Sequence, residues 1–238
     1  MSRHALEATS SLAERVTRLL ALTEYKLADS TNTSAAKELE AIYELRYRAY
    51  LREGAIKPSS TKAFSDEYDS MPNAWIFGVH IDGRLVSSFR VHISTPEYPD
   101  IPAAHVFPDI LNPLIEQRKI LVDPTRFVAD AASARQYPEL AYVTVRLAVM
   151  ACEFFVADYV LATVRAEHQA FYKRVFGHRS VCPPRPYPTL EKPISLMMVD
   201  HRAERATIMR RYPFFESTPA ERAALFNRPA HTKRRTAA

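Results

Sequence analysis

Ile120-Leu121-Val122-Asp123-Pro124-Thr125-Arg126-Phe127-Val128-Ala129-Asp130 reads as a mostly apolar strand interrupted by an acid, a hydroxyl and a base. Charged groups are costly inside such a strand unless they pair with each other or serve chemistry. Asp123 and Arg126 are candidates for both. Pro124 cannot donate a ladder hydrogen bond, so the strand is expected to bulge or bend there. The chain before this stretch reads as the first half of one mixed α/β domain, and the chain after it as the second half.

Just upstream lies a hairpin, Ala74 to Ile81 and Leu85 to Ile93, joined by the turn pair Asp82-Gly83. Pro96, Pro99, Pro102 and Pro108 then make an irregular crossing, with a short helix expected near 111–117. Downstream, 138–156 has helical spacing at Leu140, Val143, Leu147, Ala151 and Phe154, with Pro138 suited to a first turn. A buried strand over 159–164, a helix over 167–176 ended by Gly177, strands at 178–182 and 194–200, and a helix over 201–211 follow. Towards the N-terminus, 8–29 and 35–51 read as helices, separated by Thr31-Asn32-Thr33-Ser34. Between the second helix and the hairpin, Arg52 to Pro72 reads as a loop carrying Asp66-Glu67-Tyr68-Asp69. The hairpin predicts an antiparallel pair and the strand–helix–strand unit a parallel one, which together make a mixed sheet flanked by helices.

The chain has 238 residues, 47% apolar and 25% charged, as an ordinary globular protein does. No run is long and apolar enough for a membrane-spanning helix, and charges break the first twenty residues, so no secretory signal is expected. Cys152 and Cys182 fit neither a metal-ligand spacing nor a disulfide framework, which makes a cytoplasmic setting the default. The net charge is +5, and Arg228, Lys233, Arg234 and Arg235 account for four of those charges. The body is nearly neutral, so nucleic acid is not an expected partner. Arg165, Lys173, Arg174, Arg179 and Arg185 lie close in sequence against a single acid, Glu167. They form either a patch for an acidic partner or a solvated face.

These elements and the residues on them resemble the acyl-homoserine-lactone synthases and, more closely, the long-chain N-acyl amino acid synthases. Both are branches of the general N-acetyltransferase (GNAT) superfamily, and the resemblance spans roughly residues 35 to 200. It rests on Arg46 with Tyr50, the paired acids Asp66 and Asp69, the strand arginine Arg90, and Asp123-x-x-Arg126-Phe127, where the lactone synthases have Glu in place of Asp123. It also rests on Arg165-Ala-Glu-His168-Gln-Ala-Phe171-Tyr172-Lys-Arg-Val-Phe176-Gly177 and Arg185-Pro186-Tyr187-Pro188. The resemblance implies a GNAT-like α/β fold over 34–212, with a mixed sheet splayed at the central strand. Residues 1–33 then form an N-terminal helical extension and 213–238 a basic tail, disordered at its end. One departure bears on the donor. Coenzyme A-dependent GNAT enzymes usually have a Gly-rich turn after the central strand for the pyrophosphate, whereas Ala129 to Gln136 has no glycine. That fits an acyl-phosphopantetheine thioester carried on acyl carrier protein, as the resembling synthases use.

Acyl transfer to an amine needs a neutral amine, donors to the developing oxyanion and a proton for the leaving thiolate. The resemblance makes Asp123 the candidate base, acting through a water; the alternative is that it only pairs with Arg126. Arg126 either orients that carboxylate, binds the carboxylate of the acceptor amino acid, or is a structural ion pair. Arg46, Asp66, Asp69 and Arg90 would close the N-terminal helices over an acceptor pocket shared with Tyr50 and Phe127, or form a structural network alone. Tyr172 is the candidate acid for the thiolate, with His168 as an alternative. The apolar candidates for an acyl pocket are Val149, Met150, Phe154, Phe155, Met197 and Met198, all equally readable as core.

The expected activity is transfer of a medium or long fatty acyl group from acyl carrier protein to the α-amine of an amino acid, with no metal and no tightly bound cofactor. The basic residues from Arg165 to Arg185 would dock the carrier protein. The alternatives are a coenzyme A-dependent N-acetyltransferase, an acyl-homoserine-lactone-type synthase and a non-catalytic acyl-binding module.

Overall fold

The computed structural model describes residues 3–29, 32–187 and 190–227. Helix α1 (Arg3–Ala21) leads into an edge strand, β1 (Thr23–Ala28), and then into α2 (Thr33–Arg52). The Asn32 side chain caps α2 by accepting the Ala35 N–H at 3.0 Å. Strand β1 corrects the expectation of one helix over 8–29. Glu24, Lys26, Leu27 and Ala28 are good helix formers, but pairing with the next strand, from Thr23 opposite Ile81 to Ala28 opposite Ile76, outweighs that preference. The segment read as a helical extension is therefore partly built into the sheet.

The hairpin of β2 (Ala74–Ile81) and β3 (Arg84–Ser94) turns with Asp82 at φ 49° and Gly83 at φ 74°. Two successive positive φ values are what a turn matching strand twist requires. The proline-rich crossing contains α3 (Pro102–Val106) and α4 (Pro108–Glu116), each opened by a proline in its first turn. Then come β4 (Leu121–Ala129), α5 (Ala131–Gln136), α6 (Leu140–Phe155) and β5 (Tyr159–Val164). Helix α7 (Gln169–Phe176) ends at Gly177, φ 73°. The strand expected over 178–182 is only the two-residue β6 (Arg179–Ser180), followed by β7 (Ser195–Asp200) and α8 (His201–Arg211).

Part of the segment read as a basic tail is folded. Helix α9 (Pro219–Phe226) starts at a capping box, Thr218 with Glu221, and places Phe226 in a ring cluster with Trp75, Phe77, Phe154 and Phe155. Arg146 of α6 clamps this segment by donating to the Phe214 carbonyl at 3.0 Å and the Glu216 carbonyl at 2.6 Å. The end of the tail, expected to be disordered, lies outside the described residues.

Among the described residues the sheet has seven strands in the order β1-β2-β3-β4-β5-β7-β6. Every neighbouring pair is antiparallel except β4 and β5, which are parallel. That parallel pair is brief. Leu121 lies opposite Tyr159 and Val122 opposite Val160, and the two strands then run on to Ala129 and Val164 without pairing with each other. The sheet is splayed there. Alternation along β4 sends Leu121 into a cluster with Ile101, Phe107 and Leu111, on the α3–α4 side. Val122 joins the larger core beneath α6.

Pro124 itself stays in register, opposite Val91. The expected irregularity falls two residues later, because Ser88 lies opposite Val128 but Arg90 lies opposite Thr125. Arg126 in this bulge has φ 52°, a conformation that costs a non-glycine residue on the order of 1 kcal/mol.

Candidate active site

On the α2–α3 side of β4, charged residues from four segments of the chain converge. Arg46, from α2, donates to Asp69 at 2.8 Å. Arg90, from β3, donates to both Asp66 and Asp69, and its Nε donates to Thr125 Oγ1 at 2.9 Å. Arg126, from the β4 bulge, closes the row on Asp66. The turn Glu67–Ser70 holds the two acids in place, with the Asp66 N–H donating to Asp69 Oδ2 at 3.0 Å. The row therefore alternates three guanidiniums with two carboxylates, all nearly covered from solvent.

Burial opposes the charge on Asp66, but Arg126 and Arg90 outweigh it and hold the carboxyl well below its usual range. Asp69 is depressed in the same way by Arg46 and Arg90. Aromatic rings complete the enclosure. The Arg126 guanidinium lies 4.6 Å from the Phe64 ring, 5.6 Å from Tyr50 and 5.7 Å from Tyr187, and Arg46 lies 5.4 Å from Tyr43. An open pocket lined by Ser65, Asp66, Glu67, Tyr68, His105, Val106 and Tyr187 leads to this row.

Asp123 is not paired with Arg126, which corrects that alternative. It is fully buried, accepts the Ala103 N–H at 3.0 Å on Oδ2, and has no hydrogen-bond partner on Oδ1. Burial pushes its pKa up to about 7, against the opposing pull of the Ala103 N–H and Arg90. Cross-strand to it, His92 bonds to the Tyr68 carbonyl through Nε2 at 2.9 Å, and burial lowers its pKa to about 3. Phe127 is placed elsewhere and packs partly buried against the core beneath α6.

The opposite face of the splay holds an apolar pocket. Pro124 and Phe89 line it from the sheet, Val145, Ala148, Val149 and Cys152 from α6, and Tyr172, Phe176 and His178 from α7 and beyond. Of the apolar candidates, only Val149 lines it. Phe154 and Phe155 pack against Phe226, while Met150 takes part in the core below. Tyr172 is held here as a neutral phenol, because burial and the nearby Tyr50 raise its pKa. His168 does not share the pocket: it is exposed on the turn before α7 and bonds Arg165 at 2.9 Å.

Two of the five basic residues are engaged in ion pairs. Arg165 is engaged by Glu53 and Glu167, and Arg185 makes a two-pronged pair with Asp109 at 2.6 and 2.8 Å. Lys173, Arg174 and Arg179 are exposed. The residues missed in the sequence are Phe64, Tyr43, Thr125 and His178. Thr125 alone carried a signal, as the hydroxyl inside the apolar strand. No metal-ligating cluster and no helix long and apolar enough to cross a membrane occurs among the described residues.

Several solved structures share this architecture. FeeM, an N-acyl amino acid synthase from uncultured soil microbes, superposes with a TM-score of 0.64 at 15% identity, covering 82% of this chain and 98% of that one. The coenzyme A-dependent acyl-homoserine lactone synthase BjaI gives 0.57 at 14% identity, covering 81% and 89%. An acyl-CoA N-acyltransferase from Pseudomonas aeruginosa gives 0.50 at 19% identity, covering 74% and 98%. The fold is thus that of the GNAT-like acyltransferases. The profile described as N-acyl amino acid synthase FeeM matches residues 41–200, so the chain belongs to the FeeM family of N-acyl amino acid synthases. No curated protein matches the chain.

Proposed function

We propose that this protein transfers a medium or long fatty acyl group from an acyl carrier protein thioester to the α-amine of an amino acid. The observation that carries this reading is the division of the splayed sheet. A charged pocket lies on one side of β4 and an apolar pocket on the other, and Tyr50, near both Arg126 and Tyr172, stands between them where β4 and β5 no longer pair. The amino acid would sit by Arg126, its carboxylate balancing the positive charge by which three arginines exceed two aspartates. The acyl chain would run beneath α6, entering by displacing side chains, since the space between them is about 30 Å³.

In the reaction the amine nitrogen attacks the thioester carbonyl, forming the amide bond as the C–S bond breaks. Asp123 takes the amine proton through a water, its raised pKa suiting a base near neutrality. Tyr172 gives its phenol proton to the leaving thiolate. Support for the carrier protein comes from Asp130, whose carboxylate accepts the N–H and hydroxyl of Ser133, each at 2.9 Å. An acid placed directly after β4 repels the pyrophosphate that coenzyme A would bring there. Lys173, Arg174 and Arg179 are the docking residues in this reading.

The test is mass spectrometry of reactions containing purified protein, the common amino acids, and dodecanoyl groups on carrier protein or on coenzyme A. An N-acyl amino acid formed faster from carrier protein is expected, with Tyr172→Phe slowed about 100-fold and still folded. No amide from either donor refutes the transfer, and equal rates from the two refute the carrier.

A further inference from the structure

One group in the apolar pocket does not suit a plain alkyl chain. His178 lines the pocket and is only 4% exposed; the backbone carbonyls of Val160, Leu161 and Tyr172 lie close enough to act on its ring, yet neither ring nitrogen makes a well-aligned hydrogen bond. The ring stands edge-on to Tyr172 at 5.7 Å and to Phe176 at 5.9 Å, which fixes its plane. Burial lowers its pKa to about 4, so the imidazole is neutral, with one nitrogen a donor and the other an acceptor. His201, the other histidine on the pocket wall, differs in having its Nε2 bonded to Glu153 at 2.9 Å. Carbonyls can serve only the ring's N–H, so the other nitrogen, an acceptor, is left without a donor. A buried acceptor without a partner is costly, and a hydrocarbon laid against His178 would leave it so.

We infer that the acyl chain accepted here carries a hydroxyl group near its thioester end and that His178 reads it. The inference rests on the apolar pocket being the acyl site. Tyr172, placed at the leaving sulfur in the proposed reaction, touches His178, so the imidazole meets the first carbons beyond the carbonyl. A 3-hydroxyacyl thioester is the simplest chain that supplies oxygen there. Its hydroxyl can donate, which is what the acceptor nitrogen of His178 lacks.

The experiment offers the full chain equal amounts of 3-hydroxydodecanoyl and dodecanoyl carrier protein with the common amino acids, and reads the product ratio by mass spectrometry. The hydroxylated product is expected to lead by about tenfold, one hydrogen bond's worth of discrimination. His178→Phe should bring the ratio to parity, and His178→Gln, whose amide also donates and accepts, should keep part of the preference. Parity in the unaltered protein, or a preference that survives His178→Phe, overturns the inference.

A second readout needs no turnover. Non-hydrolysable 3-hydroxydodecanoyl pantetheine amide should shift the ¹⁵N signals of the His178 imidazole, identified by their loss in His178→Gln, and the dodecanoyl analogue should not. If no donor gives an amide but the shift is present, the transfer reading fails and this binding site stands. If amides form but no shift is seen, the binding site fails and the transfer reading stands.

Discussion

The two faces of β4 solve opposite problems with neighbouring residues. On the face of Asp123, Thr125 and Arg126, charges are buried by pairing: each carboxylate of the row touches two guanidiniums. On the face of Pro124, no arginine, lysine or carboxylate lines the pocket, and the polar groups Tyr172 and His178 are kept neutral by burial. A strand that alternates its side chains can thus separate a site for a charged amino acid from one for a lipid chain by a single residue. The difference also says where mutations should hurt. Removing one member of a paired row strands its partners, whereas altering the apolar wall only changes its shape.

The hardest test of that contrast is Arg90→Leu, which deprives Asp66, Asp69 and Thr125 of a shared donor. A loss of about 3–5 kcal/mol in urea unfolding is expected, the usual cost of breaking a buried pair. A loss below about 1 kcal/mol would mean that the row does not act as a unit.

Next in size is the pH dependence contributed by Asp123. Its pKa is raised from 3.8 to about 7 in the folded chain, so between those values the folded state holds the extra proton. Stability should therefore fall as pH rises from about 4 towards 7, by at most about 1.4 kcal/mol per pH unit. Asp123→Asn should flatten that slope in pH-dependent denaturation and remove the rise of kcat/KM near pH 7. Parallel curves for the two proteins would detach Asp123 from both effects.

On the apolar face, Val149→Phe should cost only about 1–3 kcal/mol. It should favour short acyl groups over long ones by about tenfold in a chain-length competition. An unchanged chain-length profile would move the acyl site away from α6. The smallest effect expected is from Lys173→Glu with Arg174→Glu. Turnover of acyl carrier protein should weaken by roughly a few-fold at low salt and recover at high salt, because exposed rim charges act through screened fields. Turnover of acyl-CoA should be unchanged.

The strands and helices that carry a strong period were legible in the sequence. The Asp82-Gly83 hairpin, the buried strand over 159–164 and the helix over 201–211 stand where the pattern puts them. Strand β1 was not legible, since its residues favour a helix and only the edge of β2 recruits them. Helix α9 had a local signal, Thr218-Pro219-x-Glu221, but the charged tail beyond it obscured the reading. The site divides likewise. That acids and arginines would cluster could be read from residue types. That Arg126 chooses Asp66, sixty positions away, over its near neighbour Asp123 could not, because the bulge at Arg126 turns its side chain away from the strand's regular alternation.

The brevity of the β4–β5 pairing has a consequence for how the molecule comes apart. Two residue pairs are all that ladder the antiparallel half of β1 to β4 onto the half formed by β5, β7 and β6. Side-chain packing on both faces, against α6 and against α3 and α4, must do the rest of the joining. The seam should therefore be the first long-range feature to open under native conditions, and its amides the first in the sheet's centre to exchange with solvent. A donor lying across the gap would bind both halves at once, so occupancy should slow that exchange and raise the unfolding temperature together.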